Sequence, residues 1–148
     1  MKTAYPISSI LHHKTSAIWT VAPEAMVYED IKFMAEKNIG ALPVVSGGRL
    51  VGILTERDYA RKIALQGKTS RTTTVFEILE SCVTVSPDDT VEDCMRLMVE
   101  KRVRHLPVLE NGNVVGIVSI GDLVNWIISA QDAVIEQLEQ YIAGSVTA

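Results

Sequence analysis

A mixed α/β fold of the α+β kind, made of two tandem halves and closed by a long C-terminal helix, is predicted by three observations. The first is an internal duplication: Pro23 and Pro87, Pro43 and Pro107, Gly52 and Gly116, and Asp58 and Asp122 are all separated by one constant offset. No gap is needed between Thr20 and Asp58, and identities at the same offset include Met34/Met98, Leu42/Leu106, Val44/Val108 and Val51/Val115. A fixed offset held over that length marks a repeated structural unit rather than shared composition. The second is that apolar spacing switches between helical and strand-like within each copy, reading strand, helix, two strands, helix. The third is size, since 148 residues at 47 % hydrophobic suffice for one compact domain or two small interdependent ones. Two copies are too few for a solenoid. The expected product is a closed pseudo-twofold pair, each half covering the other's apolar sheet face.

Residues 1–17 precede the repeat. Pro6 is placed to open a short helix, with Ile7, Ile10 and Leu11 on one face. His12 and His13 are adjacent, so on a helix they diverge and cannot share a metal as an i, i+4 pair would. Residues 18–67 form repeat one. Ile18-Trp19-Thr20-Val21 is strand-like, and Val27, Ile31, Met34 and Ala35 then give a helix with one buried face, with Gly40 as its stop. Residues 41–45 and 50–54 are β-rich runs around Ser46-Gly47-Gly48-Arg49, a hairpin signal, and residues 59–65 form the second helix.

Residues 68–79 comprise a polar, threonine-rich linker and a short helix at Val75-Phe76-Glu77-Ile78-Leu79. Residues 80–130 form repeat two. There Asp89 and Glu92 suit a cap and a first helical turn, Val91, Met95 and Met98 carry the buried face, and Asn111-Gly112 is the stronger of the two hairpin turns. Residues 131–148 extend the last helix. Its apolar residues Val134, Ile135, Leu138, Tyr141 and Ile142 keep helical spacing, with Glu136, Gln137, Glu139 and Gln140 between them. That face covers either the chain's own core or a partner subunit, and an extension of this kind favours association.

The chain is organised around Gly52-Ile53-Leu54-Thr55-Glu56-Arg57-Asp58 and its second copy Gly116-Ile117-Val118-Ser119-Ile120-Gly121-Asp122. Each reads as a buried strand running into a hydroxyl residue, with a carboxylate three positions later at a helix start. A capping box satisfies that pattern, the hydroxyl and the acid meeting orphan backbone donors. A nucleotide site satisfies it too, because a helix N-terminus attracts anions and a carboxylate accepts from two ribose hydroxyls.

Thr20-Val21-Ala22-Pro23, Leu42-Pro43-Val44-Val45, residues 50–55 and Asp58, with their partners in the second copy, resemble the cystathionine-β-synthase (CBS) domain pair, or Bateman module. The resemblance covers roughly residues 15–130. It implies a β-α-β-β-α unit in tandem, with clefts that commonly bind adenosine-containing nucleotides. In these motifs the chain is similar to the nucleotide-binding γ subunit of AMP-activated protein kinase. That similarity implies ribose at Asp58, Thr55 and Arg57 at the helix start, the base against Val83, and phosphate at Arg104 and His105. An Arg fork matches a phosphate. In the other cleft Trp19 takes the place of Val83, beside Ser119 and Asp122. Core packing and stacking on an adenine both suit that indole. Gly40 and Ala41 bring no cation there, so phosphate would need Lys14 or backbone donors such as Thr15. The clefts are therefore expected to differ, the Asp58 cleft taking a mononucleotide and the other an adenosine moiety, standing empty, or serving something larger such as a dinucleotide.

Net charge is −4 and the pI is near 5.3, which disfavours a general nucleic-acid surface. No apolar run approaches a membrane span, and the first residues lack a signal-peptide pattern, so a cytoplasmic location is expected. Cys82 and Cys94 have no metal-like spacing and read as reduced thiols. No nucleophile–base pair, paired-carboxylate site or metal cluster stands out, so the chain is not expected to be an enzyme or to require a cofactor. The expected function is a regulatory sensor for an adenine nucleotide, AMP, ATP, NAD(H) or S-adenosylmethionine, acting through a homodimer or a regulated partner protein. The rival reading is a structural adaptor whose two aspartates are only helix caps.

Overall fold

The computed structural model describes residues 5–13 and 18–146. Its elements are α1 (Ser8–His13), α2 (Val27–Lys37), the hairpin β1 (Ala41–Ser46) and β2 (Arg49–Thr55), a single turn α3 (Glu56–Asp58), α4 (Val75–Ile78), α5 (Val91–Lys101), the hairpin β3 (His105–Glu110) and β4 (Asn113–Ser119), and α6 (Ile120–Val146). The two antiparallel hairpins share one register: Ala41 pairs with Thr55 and His105 with Ser119, and each slips once, at Val44/Val45 and Val108/Leu109. Both turns hold positive φ at two successive residues, Gly47 and Gly48 in one, Asn111 and Gly112 in the other. That geometry matches the twist of the flanking strands.

The first strand of each repeat is shorter than the sequence suggested. Ile18–Val21 reduces to one parallel bridge, Val21 to Val44, mirrored by Val85 to Val108. Val21 N–H donates to the Pro43 carbonyl at 3.0 Å and Val45 N–H to the Val21 carbonyl at 2.8 Å. Continuing that ladder would require N–H groups from Pro43 on one side and Pro23 on the other, and proline has none. The repeated prolines therefore end the strand in both halves.

Two further local expectations change. Helix α2 ends at Lys37 on Asn38 (φ 55°), and α5 ends on Arg102 (φ 55°), so Gly40 is not the stop. The N-cap of α5 is Thr90, whose hydroxyl accepts from Asp93 N–H at 3.1 Å while Asp93 accepts from Thr90 N–H at 3.2 Å. Asp89, expected there, instead turns back to the Ser86 N–H at 2.7 Å.

The segments before each repeat are exchanged between the halves. Val75 and Ile78 of α4 complete the core of Val27, Met34, Leu42, Val44, Leu54 and Ile63, whereas Ile7 and Ile10 complete that of Val91, Met98, Leu106, Val108, Val118 and Leu123. The backbone repeats this exchange bond for bond. Val27, Val75 and Phe76 N–H groups donate to Thr73, Ala25 and Pro23, as Val91, Ile7 and Ser8 donate to Tyr5, Asp89 and Pro87. The N-terminal segment, expected to stand outside the repeat, is thus the counterpart of Thr73 to Leu79. It is displaced by a slightly longer offset than the rest, Ile10 answering to Ile78 where Pro23 answers to Pro87.

Close approach explains the repeated glycines of β2 and β4. A Cβ on Gly52 would lie 2.6 Å from the Glu80 carbonyl oxygen and from a Leu79 methyl, whereas one on Gly116 would meet only the Leu11 side chain, at 2.7 Å. A backbone oxygen cannot step aside as a leucine tip can. Gly52→Ala is expected to cost about 1–3 kcal/mol, the range for overpacking, and Gly116→Ala clearly less; urea unfolding of both variants checks the order.

The last helices differ most. In repeat one α3 passes into a π-helical stretch, Tyr59–Ala64, with Leu65 N–H bonded to the Ala60 carbonyl at 3.1 Å. The sequence placed an ordinary helix there, starting later. In repeat two α6 runs unbroken for 27 residues, about 40 Å at 1.5 Å per residue. All its residues from 131 to 144 are exposed, among them Ile135, Leu138, Tyr141 and Ile142. No helix among the described residues is long and apolar enough to cross a membrane.

Candidate functional site

Both aspartate motifs close as capping boxes. Thr55 Oγ1 accepts from Asp58 N–H at 3.1 Å and Asp58 Oδ2 from Thr55 N–H at 2.9 Å; Ser119 and Asp122 repeat this at 3.1 and 2.8 Å. Each box commits one carboxylate oxygen to the fold. It also fixes that carboxylate at the C-terminal end of a half-buried strand, beside the opposite repeat. The capping and ligand readings are therefore compatible, because each cap aims its acid at a cleft.

The cleft at Asp58 has a volume of about 490 Å³ and lies between the end of β2, the connector Glu80–Val83, and the segment leading into β3. It brings together Thr55, Arg57, Asp58, Val83, Arg104 and His105, all six residues assigned to it from sequence. It adds Arg61, Lys101 and Arg102, which sequence reasoning missed. For Lys101 and Arg102 the sequence offered one signal, the basic run Lys101-Arg102-Val103-Arg104-His105 directly before a strand. Arg57 Nη1 donates to the Arg102 carbonyl at 3.3 Å, bridging the two repeats at the cleft. Five Lys or Arg residues line this cleft with the acids Glu56, Asp58 and Glu80, in a chain whose net charge is −4. Cys82 also lines it, and burial pushes its thiol up, which keeps it protonated at neutral pH.

The cleft at Asp122 is smaller, about 330 Å³, and brings together Trp19, Gly40, Ala41, Ser119 and Asp122. No Lys or Arg lines it among the described residues. Lys14 and Thr15, the donors proposed for it, lie outside the described residues. Trp19 lines the cleft and packs edge-on against Phe33 with ring centroids 5.7 Å apart. Lys37 Nζ sits 5.4 Å from the Trp19 ring centroid, a cation–π contact beside the cleft.

The clefts share a wall. Gly40 and His105 line both, and the His105 ring atoms Cε1 and Nε2 lie 3.4 Å from where a Gly40 side chain would begin. The sequence assigned His105 to the Asp58 side alone; its imidazole also faces the other cleft. Among the described residues no cluster of three or more His, Cys, Asp or Glu is arranged to hold a metal ion.

The CBS domain model matches residues 8–65 and 75–129, beginning each copy within or at the exchanged helices α1 and α4. The chain is 39 % identical over 135 residues to the mitochondrial CBS domain-containing protein CBSX3 of Arabidopsis thaliana, covering 87 % of this chain but only 65 % of that relative's length. It is 36 % identical over 117 residues to the CBS domain-containing protein YhcV of Bacillus subtilis (strain 168), covering 79 % and 84 % of the two chains. Among solved structures, a CBS-domain protein from Burkholderia ambifaria MC40-6 superposes with a TM-score of 0.81 at 48 % identity, covering 85 % of this chain and 96 % of that one. A hexameric CBS-CP12 protein from bloom-forming cyanobacteria superposes with a TM-score of 0.73 at 30 % identity, over 84 % and 72 %. CBS pairs are generally regulatory modules that sense ligands, and those that stand alone are typically not enzymes. With two matched copies, the exchanged helices and paired clefts of this fold, the chain belongs to the CBS domain family as a tandem pair.

Proposed function

We propose that the chain is a regulatory sensor whose Asp58 cleft binds an adenine nucleotide. One observation carries this reading: five cations of both repeats converge beside a strand-end carboxylate, while the matching cleft has none among its described lining residues. The phosphate falls to Arg104 and His105 with Arg57, Arg102 and Lys101 nearby, the ribose to Asp58, and the base to Val83. AMP, ATP and NAD-type ligands all offer the anion that this cleft selects, and adenosine alone does not. Ligand at about 100 times its dissociation constant is expected to stabilise the fold by about 2.7 kcal/mol. A calorimetric titration with AMP, ATP, NAD⁺ and S-adenosylmethionine, paired with thermal melts, tests it. No heat and no melting shift at millimolar concentration would leave the adaptor reading standing.

The shared Gly40–His105 wall supports a second ligand reading, one dinucleotide-type molecule serving both clefts. Trp19→Ala separates the two, since Trp19 lines the Asp122 cleft alone: the change weakens a spanning ligand and leaves one confined to the Asp58 cleft nearly unaffected.

The sensor acts through a homodimer or a partner. The apolar face of α6 beyond Ser129 is exposed at Ile135, Leu138, Tyr141 and Ile142 among the described residues, and exposed stripes of that size are uncommon on monomers. Closed twofold pairing buries such a stripe most economically. Cutting the chain after Ser129 is expected to weaken self-association while leaving nucleotide affinity within about twofold, since the stability effects of distant sites are nearly independent. Light scattering at micromolar concentration checks this, and a mass of 16.2 kDa for the full chain would exclude the dimer.

A further inference from the structure

Asp58 carries an ion pair that the repeat does not predict, because its partner residue is not repeated. Its Oδ2 is held by the Thr55 N–H, and its Oδ1 lies 3.4 Å from Lys62 Nζ, one turn along the helix. Lys62 donates at 2.9 Å to the Ile78 carbonyl, the last residue of α4, and pairs with Glu80 Oε1 at 3.2 Å. Its ammonium therefore has three partners, of which Asp58 is the one held in the capping box. Lys62 is not among the residues lining the cleft, whereas Asp58 and Glu80 are. In repeat two the equivalent position is Trp126, which packs edge-on against Tyr5 with centroids 5.9 Å apart and brings no ammonium to Asp122.

We propose that Lys62 is a positioning residue that competes with ligand hydroxyls for Asp58 Oδ1, so that the cleft admits a bare nucleoside poorly and relies on phosphate contacts at Arg104 and His105 to offset the cost of displacing the lysine from Oδ1. This rests on nucleotide binding at the Asp58 cleft. A diol reaching Asp58 needs two acceptor sites on a carboxylate that already serves a cap and an ion pair. Lys62 can yield Oδ1 and keep Ile78 and Glu80, so its withdrawal leaves no charge stranded. The 3.4 Å separation is longer than a charge-assisted hydrogen bond, so the contact is a loose one although the pair is only a fifth to a quarter exposed on each side. The brake is correspondingly mild. It also ties the carboxylate to the end of α4, the helix that completes the repeat-one core.

The test is calorimetric titration of adenosine, AMP and 2′,3′-dideoxyadenosine against the wild-type chain, Lys62→Met and Lys62→Arg, with melts confirming that all three fold. Lys62→Met is expected to bind adenosine about two- to fivefold more tightly, the range a weak ion pair supports. Dideoxyadenosine, which has no hydroxyls for Asp58, gains nothing, and Lys62→Arg returns adenosine to the wild-type value. Adenosine binding that is unchanged or weaker in Lys62→Met overturns the proposal, as does an equal gain for the dideoxy probe. No heat from any of the proteins with adenosine or AMP overturns the nucleotide reading itself, and this proposal with it.

Discussion

Arg104→Ala is expected to weaken AMP binding by about 1.5–3 kcal/mol, the range for a hydrogen bond to a charged group, and to leave adenosine nearly unaffected. That is a loss of roughly tenfold to more than a hundredfold at about 1.4 kcal/mol per factor of ten. Arg104 stands in the turn between α5 and β3, exposed, and only its backbone carbonyl is tied into the fold, by the Ile120 N–H at 2.9 Å. Removing its side chain opens no cavity, so the melting temperature of the free protein stays near that of the wild type. The loss shrinks with added salt, because Arg57, Arg61, Lys101 and Arg102 share the same phosphate field and counterions screen all of it. Equal losses for AMP and adenosine would show that Arg104 shapes the cleft rather than holding the anion. Calorimetry at two ionic strengths separates these outcomes.

What was legible in the sequence followed the duplication. The hairpins, the turn glycines and the cap at each aspartate come from residues repeated in place, whereas the grouping of Thr55, Asp58, Val83 and Arg104 came from the family resemblance, since Val83 and Arg104 answer to Trp19 and Gly40 in the other copy. What was missed lies where the repeat changes offset or where a side chain acts through space. Ile10-Leu11 matches Ile78-Leu79, but at a longer offset than the one relating Asp58 to Asp122, so a single constant spacing does not reveal the exchange of α1 and α4. Pro43 looked like a strand residue. Its effect appears only when the missing N–H is seen to be the donor that Trp19 would need. Lys101 and Arg102 were overlooked because a helix C-terminus usually carries cations for its own dipole, which gives them an ordinary explanation. Their nearness to Asp58 depends on packing between repeats, which no local pattern encodes. The π-helical stretch at Tyr59–Ala64 has the same apolar spacing as a plain helix, so periodicity could not announce it.

One buried acid sets the second large effect. Asp30 lies on the inner face of α2, 5 % exposed, and its Oδ2 has no hydrogen-bond partner. Burial, with the neighbouring Glu29 charge adding to it, pushes its carboxyl from 3.8 up to about 6. The equivalent position in repeat two is Cys94, also buried, which shows that this site takes a small side chain that stays neutral. A carboxyl whose value rises on folding favours the folded state while protonated. Its contribution is therefore fully present below about pH 3.8 and is lost as pH rises through about 6. The loss amounts to about 3 kcal/mol at about 1.36 kcal/mol per pH unit. Asp93 runs the other way, because the Thr90 hydroxyl and N–H hold its carboxyl below the usual range. What Asp93 contributes is lost only below pH 3.8, so the two windows barely overlap. Asp30→Asn is accordingly expected to be more stable than the wild type at pH 7 by up to about 3 kcal/mol, with the advantage vanishing near pH 4. Urea unfolding of both proteins at half-unit steps from pH 4 to 8 reads this out as a difference that grows through pH 6 and then levels. A constant offset at every pH would mean that Asp30 is charged throughout, held by a partner that burial alone does not reveal.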